Sequence, residues 1–119
     1  MLKALIVDDA ALARTMLRKL LEVNGFDQFW ETADGDEAVR LYKNNKPDLV
    51  IMDVTMPGMD GITSLKKIME IDKQARVIIC SSLGEREIIM EAVAAGAKHY
   101  IIKPYDPDKV VAIIRACIQ

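Results

Sequence analysis

Three aspartates, a serine and a lysine occupy the same kind of place along this chain, directly after a short apolar run. Asp8-Asp9 follow residues 4–7, Asp53 follows residues 49–52, Ser81-Ser82 follow residues 77–80, and Lys103-Pro104 follow residues 100–102. If those runs are strands of one parallel sheet, the residues beyond their carboxyl ends share one rim, which is where open parallel sheets bind ligands. Taken singly, each has an ordinary explanation. Asp8 and Asp9 could cap a helix, Asp53 could open a turn, Ser81 could bond backbone, and Lys103 could be solvated. Taken as a set, three carboxylates held close would raise one another's pKa unless a cation or a proton compensated. A divalent metal is the economical solution. With hard oxygen donors and no His or Cys partner nearby, Mg2+ is favoured over zinc, and it would keep Asp53 ionised at neutral pH. An ionised carboxylate beside Mg2+ and a lysine is equipped to attack phosphorus. Asp53 is the natural nucleophile.

The elements that must hold these groups are legible in the alternation of apolar runs with amphipathic helical patterns, the mark of parallel βαβ units. Five runs are expected as strands: residues 4–7, 29–32, 49–52, 77–80 and 100–102, the second being the weakest and placed at an edge. Leu12, Met16, Leu17, Leu20 and Leu21 recur at helical spacing, and Asn24-Gly25 suits the end of that first helix. Asp34 with Glu37 resembles a capping box for the second helix, Gly96 closes the fourth, and Asp106-Pro107 opens the fifth. Right-handed crossovers then give an α/β fold, a doubly wound five-stranded parallel sheet of order 2-1-3-4-5 with five helices, whose site lies at the switch between strands one and three.

The chain has 119 residues, 51% of them apolar, which suits a single domain over 1–119 with its own core. Sixteen basic against 18 acidic residues give a net charge of -2, without the positive field that nucleic-acid binding exploits. The apolar runs are far shorter than the roughly 18 residues of a membrane span, and no signal peptide precedes Lys3. Cys80 and Cys117 lack metal or redox spacing and are read as reduced core thiols, so a cytoplasmic location is expected. His99 has no second metal-type ligand in reach and is given a structural or surface role, and the seven methionines are core filling.

Asp8-Asp9, the stretch from Met52 through Asp53, Val54, Thr55, Met56, Pro57, Gly58, Met59 and Asp60 to Gly61, Ser81 and Lys103-Pro104 resemble the signature of response regulator receiver domains. The resemblance covers essentially the whole chain and is greatest to single-domain chemotaxis regulators of the CheY type. It implies two-component phosphorelay signalling, with Asp53 phosphorylated by a sensor histidine kinase and Mg2+ bound directly by Asp9, Asp53 and the Thr55 backbone carbonyl, Asp8 acting mostly through water on the metal. It further implies that Lys103 pairs with the carboxylate and then with the phosphoryl oxygens, positioned by a cis peptide at Pro104.

A phosphoryl group at Asp53 would draw the Ser81 hydroxyl and the Lys103 ammonium inward. By resemblance, Tyr100 is the second switch residue, moving into the space that Ser81 vacates. A downstream protein would then read the face of the fourth helix, fifth strand and fifth helix, the chain being a monomer or a phosphorylation-dependent dimer. Ser81 and Ser82 stand where many relatives carry threonine and alanine, which bears on signal lifetime, as does Thr55. Three other readings remain open on sequence: the receiver of a longer DNA-binding regulator, an aspartate-nucleophile phosphohydrolase, and a scaffold that has lost phosphorylation. The hydrolase usually carries a second carboxylate two residues after the nucleophile, where this chain has Thr55. A nucleotide-binding module lacks its glycine-rich element after the first strand.

Overall fold

The computed structural model describes residues 1–54, 61–82 and 85–118. Its elements alternate strictly: β1 (Leu2–Val7), α1 (Ala11–Glu22), β2 (Phe26–Thr32), α2 (Gly35–Asn45), β3 (Leu49–Asp53), α3 (Gly61–Ile71), β4 (Val77–Ser82), α4 (Arg86–Ala94), β5 (His99–Lys103) and α5 (Pro107–Ile118). The strands pair in parallel in the order β2-β1-β3-β4-β5, as expected.

Side chains alternate between the two faces of a strand, so each central strand feeds two cores. Leu5, Val7, Val50 and Met52 join Tyr42 of α2 and Leu65 and Ile68 of α3 on one face. Ala4, Ile6, Leu49 and Ile51 join Leu17 and Leu21 of α1 and Val110 and Ile114 of α5 on the other. All five residues of β3 are buried. Double-sided covering is why these runs are continuously apolar.

All five strands run longer than expected, β1 starting at Leu2, β5 starting at His99, and β3, β4 and β5 taking in Asp53, Ser81-Ser82 and Lys103 at their carboxyl ends. β2 begins at Phe26 rather than at residue 29, because this edge strand has one neighbour and tolerates the polar pair Asp27-Gln28; its register shifts between Leu2 and Lys3. Leu12 keeps the helical spacing of α1 yet is exposed, lying in the first turn beyond the core. The Asp34 carboxylate caps α2 through the Asp36 N–H, at the second helical residue rather than the third. Gly25 (φ 96°) and Gly96 (φ 116°) take the left-handed conformation after α1 and α4 that their places at the helix ends require. Asp106 accepts from the Asp108 N–H at 3.1 Å and starts α5. Among the described residues no helix is long and apolar enough to cross a membrane.

Candidate functional site

The register of the sheet ends β1, β3 and β5 at one rim and delivers the acidic residues to a common point. Asp8, Asp9 and Asp53 each present a carboxylate oxygen there, all within 4.8 Å of one another. Asp8 and Asp53 are almost fully buried, whereas Asp9 is exposed. Lys103 answers this charge: its Nζ donates to Asp53 Oδ2 at 2.7 Å and lies 3.6 Å from Asp8 Oδ2. The Lys103–Pro104 peptide is cis. Burial alone would lower the lysine's pKa, but the hydrogen bond and charge of Asp53, with Asp8 adding, raise it above the ordinary value.

Gly61 holds the far side of the site. A Cβ there would stand 2.5 Å from Val54 Cα and 2.8 Å from the Asp53 carbonyl oxygen, so only glycine lets α3 start against the end of β3.

Around Asp8 the structure adds groups that the strand-end pattern did not point to. The Ala10 N–H donates to Oδ1 at 2.9 Å, the Tyr105 hydroxyl donates to Oδ2 at 3.1 Å, and Arg14 donates to the Asp8 carbonyl at 2.6 Å while pairing with Glu31 at 3.4 Å. Burial pushes the Cys80 thiol up to about 12, the carboxylates of Asp53 and Asp8 adding to the effect. Burial, then Cys80 and Asp8, raise the Tyr105 phenol far above its usual range.

Ser81 is fully buried, its hydroxyl 3.2 Å from the Ser82 carbonyl and 3.3 Å from Glu85 Oε1. Glu85 also accepts from the Ser82 N–H at 2.7 Å. The Ser82-x-x-Glu85 spacing is that of a capping box and was the available sequence signal for this contact. Tyr100 is half-exposed and lines a groove of about 650 Å3 with Ile89, Met90, Val93 and Ile102, between α4 and β5. His99 is exposed at the start of β5. Thr55, expected as a metal ligand through its carbonyl, lies outside the described residues, as do Met56 and Met59.

A divalent metal fits this donor set. Two buried carboxylates and an exposed one converge from two strand ends, all offering hard oxygen atoms.

A family model for the response regulator receiver domain matches residues 4–115. The chain belongs to that family. This receiver is 50% identical to the chemotaxis protein CheY of Bacillus subtilis over 98% of both chains. It is 48% identical to CheY of Thermotoga maritima, over 92% of this chain and 91% of that one. Among solved structures, the CheX-CheY-BeF3-Mg2+ complex from Borrelia burgdorferi superposes with a TM-score of 0.92 at 42% identity, covering 99% of this receiver and 90% of the matched chain. The receiver is thus a signalling domain of two-component systems, similar to CheY chemotaxis regulators.

Proposed function

We propose that this receiver accepts a phosphoryl group from a histidine kinase on Asp53, with Mg2+ held by Asp9 and Asp53 directly and by Asp8 from further out, and acts as a CheY-type chemotaxis regulator in the cytoplasm. The carrying observation is the convergence of three carboxylates with a lysine 2.7 Å from Asp53. Asp53 ends β3, whose residues are all buried, so its carboxylate is fixed in place before any donor arrives.

In the transfer, a carboxylate oxygen of Asp53 forms a bond to phosphorus as the bond from phosphorus to the donor's imidazole nitrogen breaks, its electron pair leaving with the imidazole. Bound Mg2+ would neutralise charge on the phosphoryl oxygens. Lys103 is already at the acceptor and can follow the charge as it moves onto those oxygens. The receiver is itself the group's acceptor, and no separate substrate is needed.

Ser81 and Tyr100 carry the response. A phosphoryl group competes with Ser82 and Glu85 for the Ser81 hydroxyl, and Tyr100, half-exposed beside the groove between α4 and β5, turns inward when β4 shifts. The output face is α4, β5 and α5, where Met90, Val93, Tyr100 and Ile102 are exposed. That the Borrelia relative was solved with BeF3 and Mg2+ supports the assignment.

Incubation with acetyl phosphate and Mg2+ should add one phosphoryl mass to the wild type and none to Asp53→Asn or to protein in EDTA. Equal labelling of the variant would overturn the assignment.

A further inference from the structure

Asp8 is the most enclosed of the three carboxylates, and its two oxygens are held from different parts of the chain. The Ala10 N–H fixes Oδ1 from the start of α1, whereas the Tyr105 hydroxyl fixes Oδ2 from the segment joining β5 to α5. Tyr105 stands one residue before the Asp106 cap, its ring packs with the α1/α5 core, and Lys103 Nζ lies 5.7 Å from the ring centroid. The phenol is thus anchored by packing at one end and bonded to a carboxylate at the other. Hydrogen bonds to the groups that hold a metal fix their rotamers, and losing one typically costs about 10-fold or more in metal affinity.

We infer that Tyr105 is a positioning residue for Mg2+, its hydroxyl holding the Asp8 carboxylate in the orientation that faces Asp9 and Asp53. The inference rests on the proposed metal site. Because Asp8 oxygen Oδ2 is shared by the phenol and the Lys103 ammonium, loss of the phenol leaves the lysine to pull that carboxylate toward β5. Tyr105 also links the metal site to the start of α5, so ion binding is felt at the phenol.

Mg2+ titrations by calorimetry on wild type, Tyr105→Phe and Asp9→Asn test this, with protein labelled at the tyrosine Cζ for NMR. The chain has three tyrosines, and Tyr42, bonded to Asp72 away from the site, serves as the internal reference. The expected result is Mg2+ binding weakened about 10-fold in Tyr105→Phe, and a Tyr105 resonance that shifts on Mg2+ addition while Tyr42 does not. Wild-type affinity in Tyr105→Phe, together with loss of binding in Asp9→Asn, would overturn the role of Tyr105 and leave the metal site standing. No binding by the wild type, or full binding by Asp9→Asn, would overturn both.

Discussion

The two ends of the sheet each carry a tyrosine whose hydroxyl donates to an aspartate, and the pairs do different work. At the amino ends of the strands Tyr42 of α2 donates to Asp72 Oδ2 at 2.9 Å, just after α3, and Asp72 Oδ1 accepts from the Gln74 N–H. Those hydrogen bonds, the Gln74 amide first, hold the Asp72 carboxyl below the usual value. Burial, with Asp72 adding, pushes the Tyr42 phenol well above its own. At the carboxyl ends Tyr105 makes the equivalent bond to Asp8, but two more carboxylates and an ammonium share the space. A hydrogen bond to a solvated carboxylate fastens one helix to another. The same bond to a buried carboxylate in a crowd of like charges orients a ligand group.

Substitutions that break this contrast should grade by how much of the charged end they disturb. Gly61→Ala is the most severe, because its Cβ must displace the backbone of Val54 and Asp53. A loss of about 3 kcal/mol is expected in urea unfolding, the upper range for overpacking, together with weakened Mg2+ binding.

Lys103→Met leaves Asp8 and Asp53 facing each other without an ammonium. Removing one partner of a buried pair costs about 3–5 kcal/mol, reduced here to about 2 kcal/mol because the ammonium is partly solvated, and Mg2+ should restore most of it. The pH dependence has a definite sign. Since the folded lysine's pKa is raised, its contribution is complete below the unfolded value of about 10.4 and is lost as pH rises through the higher folded value. Wild-type urea midpoints should therefore fall in that alkaline window by more than those of the methionine variant.

Tyr42→Phe is the counterpart of the Tyr105 variant. It should cost about 1 kcal/mol of stability, the net worth of one hydrogen bond, and leave Mg2+ binding unchanged. A change in metal affinity would erase the distinction between the two ends. The smallest effect is at Cys80, whose buried, neutral thiol should resist disulfide reagents at pH 8 in the native protein and react only on unfolding.

The sheet order and the acidic, hydroxyl and lysine positions were legible because continuous apolar runs mark strands covered on both faces, and the residues just after such runs must lie on one rim. β2 was cut short because an edge strand does not require that continuity at Asp27 and Gln28. Leu12 matched the helical period while lying past the end of the core, a distinction that spacing alone does not carry. Tyr105, Arg14 and Glu85 were missed for a common reason. Each reaches the site from a neighbouring turn or helix, so its role depends on the path of the loop rather than on a strand end. Only Glu85 left a local sign, three residues after Ser82.

Asp53 must supply the oxygen that bonds to phosphorus if this site works as proposed. After incubation with acetyl phosphate and Mg2+, reduction of the acyl phosphate with labelled borohydride and peptide sequencing should place the label at position 53 alone. Label at Asp8 or Asp9, or its undiminished appearance in Asp53→Asn, would contradict that role.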